Sequence, residues 1–401
     1  MTTERLYYTD CYLRDFEARV LQAEPGPQGL RVYLDHSAFY PESGGQPSDR
    51  GTLAGIPVLD VIDEGDQVAH VLASKPEGET VRGEIDWSRR FDHMQQHTGQ
   101  HLLSAAFDKI GGFKTVSFHL GVEASTIDLD SDRLGRRQIE EAEGLANSVV
   151  FENREVRILF QPASEASRMD LRKPTAREGD VRLIEVAGFD LSACGGTHVG
   201  RTGAVGSIAV RRIEPAKGNM RVEFACGSRA LRTARRDFLA LSEAGRLLSA
   251  GLEQVPALVA KQSEELRTAI RAREKLTGRL AAYRAAELVS MVEARDGGRI
   301  VRLIFPAEEL VEAKMIAHAI AKQPSAVAFL GVRSAAGAKG DSATLVFAQS
   351  ADGGADMSGI LRQVLGNVGG KGGGTRYFAQ GAVAGEKLEE ALVLAETLLG
   401  R

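Results

Sequence analysis

The sequence predicts a multidomain protein of the α+β class. At 401 residues the chain is longer than one hydrophobic core usually serves, so more than one domain is expected. Residues 1–88 alternate polar and apolar side chains as antiparallel strands do. Residues 231–292 repeat apolar side chains every seven positions, as packed helices do, and residues 293–401 pair apolar strands with helices.

Residues 1–88 are expected to form a small N-terminal β-barrel. The stretch at 30–35 (LRVYLD) shows the alternation, and Pro-Gly and Gly-Asp pairs divide the region into short pieces. Short strands joined by tight turns are typical of small antiparallel barrels. Residues 89–230 are expected to form an α+β domain that opens with an amphipathic helix from about Arg89 to Ile110.

Residues 231–292 are expected to form a helical linker with a coiled-coil pattern. Pro256 interrupts it, so two helices or one kinked helix are expected. The apolar stripe either packs on its own domain or joins two copies of the chain as a homodimer, a role that the C-terminal domain could share. The two interleaved series are Leu241, Leu248 and Val255, and Leu252, Val259 and Leu266.

Residues 293–401 are expected to form an α/β unit. Apolar strands at 326–330 and 343–347 alternate with helices, and a glycine-rich stretch at 369–374 precedes the final helix. The glycines lack the spacing of a phosphate-binding loop. Taken alone, this stretch is therefore expected to be a flexible loop.

Composition indicates a globular protein of a reducing compartment. A content of 43% hydrophobic and 26% charged residues is ordinary for folded chains. No apolar run approaches the ~20 residues that span a bilayer, and no signal peptide is evident, so a cytoplasmic protein without a membrane partner is expected. Three cysteines do not suggest a disulfide framework. Cys11 and Cys226 are expected to be buried as small hydrophobic residues.

Two short spacings predict a metal site. His97 and His101 are four positions apart, as are Cys194 and His198. Residues four apart on a helix share one face, so both imidazoles can reach a single ion. Zinc accepts imidazole nitrogen and thiolate in a tetrahedral shell, which the two pairs would complete. His93 is also four positions from His97, but His93 and His101 would lie about 12 Å apart along a helix, too far to share an ion easily.

Two known classes of zinc enzyme carry further motif residues beside their metal ligands, and these residues are missing here. Thr98 follows His97, so the H-E-x-x-H pattern of metalloproteases is absent. The H-x-E and P-C-x-x-C patterns of zinc deaminases are absent as well. The metal is therefore expected either to be structural or to position a substrate or water while other groups assist.

These motifs resemble those of a known family. The run from Asp92 to Leu103 (DHMQQHTGQHLL) followed by Cys194 to His198 (CGGTH) resembles the editing domain of alanyl-tRNA synthetase and its free-standing AlaX relatives. The run from Phe39 to Gly51 (FYPESGGQPSDRG) resembles the family's N-terminal β-barrel, and residues 221–224 (RVEF) resemble a late strand of the editing domain. Gly99 departs from the synthetases, where Ala is common at that position.

The C-terminal part extends this resemblance. Residues 369–374 (GGKGGG) and 379–381 (AQG) look like the DHHA1 domain at the end of the synthetase, which points to the long AlaX type. A class II aminoacylation domain is not expected ahead of the barrel. Phosphoesterases that share this domain carry an Asp-His-His motif, whereas Met94 follows Asp92-His93 here, so that activity is not favoured.

The resemblance implies an aminoacyl-tRNA hydrolase acting in trans. Small amino acids differ by only about 1–3 kcal/mol in binding, so a second, hydrolytic selection is needed. The expected substrate is alanine tRNA carrying serine or glycine, with Zn²⁺ held by His97, His101, Cys194 and His198. The resemblance to a synthetase also brings an association with ATP and nucleotide binding. The alternatives are a deacylase for another mischarged tRNA and a non-catalytic, zinc-containing tRNA-binding protein.

A polar strand after the histidine helix is expected to read the serine hydroxyl. With a period of two, its candidates Thr115, Ser117 and His119 would share one face. Gly44, Gly45 and Gln46 are expected either to reach over the pocket from the barrel or to form a plain turn. In the first case Gln46 joins the three strand residues as a catalytic candidate, and the two glycines contact the substrate.

Basic residues give candidates for tRNA contact. Residues 211–236 hold eight arginines and lysines against two glutamates. This excess is either a solvated face or a phosphate-contacting strip. The positions selected are Arg211, Arg212 and Arg221, together with Lys371 and Arg376 beside the C-terminal glycines.

Overall fold

The computed structural model describes residues 2–121, 123–175, 179–295, 298–333 and 341–400. It has mixed helices and sheets, which confirms the α+β class. The chain divides into two compact units, Met1–Leu247 and Leu248–Arg401, which are described separately. The finer domain limits at residues 88, 230 and 292 stay predictions.

The first unit begins with short antiparallel strands. Six of them close into a barrel in the order β2-β3-β7-β6-β5-β8, while β1 pairs with β4 in parallel. Apolar side chains such as Leu34, Phe39 and Leu72 are fully buried in this region. The strands are β1 (Glu4–Arg5), β2 (Asp15–Gly26), β3 (Gly29–Leu34), β4 (His36–Ser37), β5 (Gly51–Leu53), β6 (Ile56–Glu64), β7 (Gln67–Leu72) and β8 (Thr80–Ile85).

A long helix follows, α1 (Trp87–Gly111). The Asp86 carboxylate accepts a hydrogen bond from the Arg89 amide and so caps its start, and Gly112 ends it in a left-handed conformation at φ 69°. The predicted helix, from about Arg89 to Ile110, is within two residues of the observed bounds, but its predicted amphipathic character was wrong. Every residue from His93 to Phe107 is buried, because barrel loops, strands and a second helix enclose the middle of α1.

A buried ion pair joins α1 to the barrel loops. The Arg90 guanidinium pairs with the Asp49 carboxylate, and both side chains are fully buried. Arg90 also donates to the backbone carbonyls of Cys11 and Ala38. These bonds satisfy a charge that would be costly to bury alone, and they fix the barrel against the helix.

The rest of the first unit packs two sheets and three helices around α1. One sheet has the order β14-β15-β10-β9 and the other β11-β12-β13. Cys11 and Cys226 are both buried in the core beside α1, as predicted. The elements are β9 (Thr115–Leu120), β10 (Ser125–Leu129), α2 (Arg136–Phe151), β11 (Val156–Pro162), α3 (Ala163–Ala166), β12 (Asp180–Val186), β13 (Asp190–Ala193), β14 (Ile208–Ala216), β15 (Asn219–Cys226) and α4 (Gly227–Leu247).

The second unit is an α/β layer structure around a five-stranded sheet of order β16-β17-β18-β20-β19. Two buried clusters cover the sheet, one with α7 and α8 and the other with α5 and α6. The elements are α5 (Val255–Ser290), β16 (Arg299–Phe305), α6 (Leu310–Ile320), β17 (Ala326–Arg333), β18 (Ser342–Gln349), α7 (Met357–Val368), β19 (Lys371–Gly374), β20 (Phe378–Ala384) and α8 (Leu388–Leu399).

The structure bears on two predictions, the break in the helical stretch and the glycine-rich loop. The helical stretch is two helices, as expected: α4 ends at Leu247, and Pro256 stands in the first turn of α5, where proline is tolerated. The glycine-rich stretch is not a loop throughout, because residues 371–374 form the edge strand β19. A Cβ on Gly372 would lie 2.5 Å from the Gly381 Cα atom, so close strand approach explains this glycine. Among the described residues, no helix is both long and apolar enough to cross a membrane.

Candidate metal centre

Four predicted ligands converge in the first unit. His97 and His101 project from successive turns of α1, while Cys194 and His198 lie on the loop that follows β13. Their candidate ligand atoms all lie within 4.8 Å of one another. The Cys194 Sγ atom is 3.4 Å from His97 Nε2 and 3.3 Å from His198 Nε2. The cluster is therefore compact enough to hold one metal ion.

Glycine permits this convergence. A Cβ added to Gly196 would lie 2.1 Å from His97 Cε1 and 2.3 Å from its Nδ1 atom. Any larger residue would displace the imidazole. The Gly196 amide also donates to the Cys194 sulfur at 3.4 Å. The C-G-G-T-H loop thus brings its backbone against α1 where only glycine fits.

Gln46 orients the first imidazole. Its Oε1 atom lies 2.7 Å from His97 Nδ1 and also accepts from the Thr197 amide at 3.2 Å. Gln46 Nε2 donates to the Thr197 hydroxyl at 2.9 Å. Because the Thr197 amide can only donate, it identifies Oε1 as the amide oxygen. His97 must then donate from Nδ1, which leaves the Nε2 lone pair facing the cluster.

The other two imidazoles have similar partners. His101 Nδ1 lies 3.2 Å from an Asp190 carboxylate oxygen, and Asp190 also accepts from Arg172 Nε at 2.7 Å and the Ser192 hydroxyl at 3.0 Å. His198 Nδ1 lies 3.1 Å from the Thr98 hydroxyl. Partners of this kind hold the rings and tautomers that metal binding requires.

Electrostatics favour the protonation states of ligands. Burial lowers the pKa of His97 to about 3 and that of His198 well below its usual range, so both are neutral at pH 7. Burial alone would raise the pKa of the Cys194 thiol, but the hydrogen bond and charge of His101 outweigh it and lower the pKa. Burial likewise opposes ionisation of Asp190, yet His101 and Arg172 lower its pKa to about 2. The neutral imidazoles of His97 and His198 suit metal binding, and His101, whose charge lowers the pKa values of Cys194 and Asp190, would have to give up its proton to become a ligand.

A cleft opens beside the cluster. Its volume is about 500 Å³, and His101, Cys194, Thr115 and Ser117 all line it. Gln100 lines it too, and its buried Oε1 atom has no hydrogen-bond partner within the described residues. A substrate in this cleft would meet two ligand side chains and an unused acceptor.

The three residues predicted to read the serine hydroxyl all lie on β9, but their surroundings differ. The Thr115 hydroxyl donates to Ser104 of α1 at 2.7 Å, whereas the Ser117 hydroxyl donates to Asp128 of β10 at 2.7 Å. A register shift between β9 and β10 lies between these residues and breaks the period of two on which a single face depends. His119 is exposed and is not among the residues that line the cleft.

The glycine loop does reach from the barrel to β9. Gly44 and Gly45 have φ values of 53° and 82°, and the Gly45 carbonyl accepts from the Leu120 amide at 3.0 Å. A Cβ on Gly45 would lie 2.9 Å from the Phe118 carbonyl oxygen. Gln46 is fully buried behind His97, so the structure makes it a positioning residue for a ligand.

Acidic neighbours partly neutralise the predicted basic positions. Arg211 pairs with Asp237, Arg212 with Glu214 at 2.8 Å, and Arg221 with Asp128 at 2.7 Å. In the second unit, Lys371 is exposed on β19, and Arg376 donates to the backbone carbonyls of Gly354 and Ala355 at 3.1 and 3.3 Å.

Sequence reasoning gave the glycines after Cys194 a role in the tight turn, but it did not identify Asp190, Arg172, Thr98 or Gln100 as parts of the site. One pattern could have found Asp190, since alternation along 190–194 puts Asp190, Ser192 and Cys194 on the same side of a strand. The remaining contacts join residues far apart in the chain.

The chain is similar to several known proteins. The family model described as "Threonyl and Alanyl tRNA synthetase second additional domain" matches residues 181–223. The alanyl-tRNA editing protein AlaX-L of Pyrococcus horikoshii is 30% identical over 412 residues, covering 98% of each chain. AlaX-M of Methanosarcina mazei is 35% identical over 245 residues, covering 55% of this chain and 96% of the relative.

Longer relatives match as well. The alanine–tRNA ligase of Ignicoccus hospitalis is 32% identical over 390 residues, which is 93% of this chain and 40% of the ligase. The chain spans less than half the length of such ligases. The C-Ala domain of Aquifex aeolicus alanyl-tRNA synthetase gives a TM-score of 0.23 at 22% identity, too low to support a comparison of folds. On the AlaX-L alignment, which covers nearly all of both chains, this protein belongs to the AlaX family of alanyl-tRNA editing proteins.

Proposed function

We propose that this protein is an aminoacyl-tRNA hydrolase that removes serine, and also glycine, from mischarged alanine tRNA. The observation that carries the proposal is the four-ligand cluster at the wall of a cleft of about 500 Å³. Two relatives that cover 98% and 55% of this chain are named alanyl-tRNA editing proteins. The reaction is hydrolysis of the ester between the amino acid and the 3′ end of the tRNA.

Zn²⁺ is the proposed metal. Three imidazole nitrogens and one thiolate form a donor set that suits zinc, and each imidazole has a partner at its second nitrogen. When bound, the ion would polarise the ester or hold the shape of the cleft. Because four protein ligands would complete a tetrahedral shell, the ion would hold the shape of the cleft and so position the aminoacyl group, and it could polarise the ester only if one ligand left.

The side chains that line the cleft would select the amino acid. Gln100 Oε1 is a buried acceptor without a partner in the described part of the chain, and Thr115 lies beside it on the cleft wall. Both belong to one network, because Gln100 Nε2 and the Thr115 hydroxyl donate to the same Ser104 oxygen. We assign the serine hydroxyl to Gln100 Oε1, since an unused buried acceptor gains most from a donor.

Two partners are also proposed, alanine tRNA and a second copy of the chain. Alanine tRNA would be the macromolecular substrate, contacted by the basic residues of β14, β15 and the C-terminal unit, and the cytoplasm is where this substrate occurs. A homodimer through α5 is also proposed. Its Val259, Leu266 and Leu280 side chains are 49%, 62% and 62% exposed, which is unusual for a helix whose apolar residues repeat regularly.

A second candidate is a deacylase for a different mischarged tRNA. The family model that matches residues 181–223 describes threonyl as well as alanyl synthetases, which favours this alternative over others. A non-catalytic, metal-containing tRNA-binding protein is the remaining candidate.

The test is deacylation of alanine tRNA charged with serine, glycine or alanine. Purified metal-loaded protein should release serine rapidly and spare alanine, while Cys194→Ala and His101→Ala should release neither. His318→Ala is the matched control, because it removes an exposed histidine of the second unit. If intact, metal-loaded protein leaves serine attached, the proposal fails, and charged threonine tRNA becomes the next substrate to assay.

A further inference from the structure

A second pocket lies beside the N-terminal half of α1. Its volume is about 400 Å³, and its lining includes Pro47, Arg89, His93, Arg229 and Arg232. None of these residues lines the cleft beside the metal centre. The pocket is a separate feature of the first unit, and the proposed hydrolysis does not use it.

His93 is the most informative residue of this pocket. Its side chain is 3% exposed, and its buried Nδ1 atom has no hydrogen-bond partner within the described residues. Burial, followed by the charges of Arg89 and Arg229, lowers the pKa of His93 to about 3, so the ring is neutral at pH 7. Buried polar atoms are nearly always paired, so an unpaired one that lines a pocket indicates an occupant.

The charges around His93 define what the occupant is. Arg229 is neutralised by Asp92, whose carboxylate it meets at 2.5 Å. Arg89 donates to the Ser48 carbonyl at 2.9 Å but pairs with no carboxylate within the described residues. The Arg232 side chain makes no hydrogen bond or ion pair in the part of the chain that the structure describes, and the residue is exposed. Two uncompensated guanidinium groups therefore face the pocket, and their planar forks match phosphate oxygens.

The position of the pocket relates it to the metal centre. His93 lies one helical turn, about 6 Å, before His97 along α1. The glycine loop runs between the two sites, since Gln46 holds His97 while the next residue, Pro47, lines the pocket. A neighbouring pocket of about 270 Å³ shares Arg229 and Arg232 and adds further arginines. Basic groups thus continue outward from α1 along one surface.

We propose that this pocket binds a backbone phosphate of the RNA strand whose 3′ end enters the metal-centre cleft. The inference rests on the proposed function for the identity of the RNA. Arg89 and Arg232 would contact the phosphate oxygens, and the neutral His93 would donate one hydrogen bond. The pocket would act in binding and in setting the position of the strand, without contact to the reacting ester.

The direct test is binding of uncharged alanine tRNA, measured by fluorescence anisotropy at several salt concentrations. Arg232→Ala should weaken binding about tenfold at low salt and reduce the slope of log K against log salt by about 0.7, the value for one phosphate contact on a single strand. Arg235→Ala is the matched control, because it removes the same charge from an exposed position on α4 that lines neither pocket. It should change the affinity by no more than about twofold.

A second variant separates the pocket from general charge attraction. His93→Gln keeps the net charge at pH 7 and should also weaken tRNA binding, and inorganic phosphate should shift the NMR signals of the His93 ring in the wild-type protein. Equal losses in Arg232→Ala and Arg235→Ala, or unchanged binding in both pocket variants, would overturn the proposal. A phosphate-induced shift of His93 with normal tRNA binding in the variants would assign the pocket to a free anion and overturn the RNA assignment.

Because the tRNA is uncharged, these results do not depend on hydrolysis. A protein that binds tRNA through this pocket but fails to deacylate it would refute the proposed function and leave the pocket assignment standing.

Discussion

Replacing Gln46 by Ala should weaken metal binding while leaving all four ligands in place. Gln46 accepts from His97 Nδ1 at 2.7 Å and is held by two hydrogen bonds to Thr197, so it fixes both the tautomer and the angle of the imidazole. Loss of such a partner typically costs 10–100-fold in metal affinity, which is about 1.4–2.8 kcal/mol. The effect should be near the upper end, because Gln46 is fully buried and also anchors the loop that carries Cys194 and His198.

The assay is competition for Zn²⁺ between the protein and a chromophoric chelator at fixed pH. Gln28→Ala is the control, since it removes an exposed glutamine from the turn between β2 and β3. If Gln46→Ala binds zinc as tightly as the control does, the hydrogen bond to His97 does not orient the ligand, and the reasoning is refuted.

Three further predictions test the packing, the barrel and the selectivity. Gly99→Ala should lower the free energy of unfolding by about 1–3 kcal/mol in chemical denaturation, because a Cβ there would lie 2.2 Å from the Cys226 sulfur. This cost should exceed the gain from the higher helix propensity of alanine. Adding Cys226→Ala should restore most of the loss, and a stabilised single variant would contradict this prediction. Burial lowers the pKa of His70 in the folded protein from 6.5 to about 4. Between these two pH values the unfolded chain therefore binds a proton at His70 that the folded protein does not bind. Wild-type stability should therefore fall by about 3 kcal/mol from this residue as the pH drops from 6.5 to about 4, a decline that denaturation of His70→Gln at the same pH steps should lack. Gln100→Leu should slow serine release by about tenfold and leave glycine release unchanged, because glycine has no hydroxyl to pair; equal slowing of both would argue against the assignment.

Local patterns predicted the parts of the site that depend on local geometry. The spacing of His97 and His101 needs only a helix, and that of Cys194 and His198 needs only a tight loop, so both pairs could be recognised without the fold. The division of the helical stretch into two helices was equally local, because proline lacks an amide hydrogen and is tolerated in the first turn of a helix, where Pro256 stands.

The remaining parts depend on contacts between distant residues. Gln46 and Thr197 are 151 positions apart, and His101 and Asp190 are 89 apart, so no spacing rule connects them. The glycines of β19 suggested a loop because glycine is a poor strand former, yet close approach of Gly381 requires it there. The bulge in β9 gives the Thr115 and Ser117 hydroxyls different partners, on α1 and on β10, which strict alternation cannot anticipate.

The most direct test of a metal-dependent editing activity is removal and return of the metal. The protein would be stripped with a chelator, checked for retained fold by circular dichroism, and assayed for release of serine from alanine tRNA before and after addition of Zn²⁺. The account predicts that release stops in the stripped protein and returns in full at one ion per chain. Equally fast release by the folded, metal-free protein would contradict it.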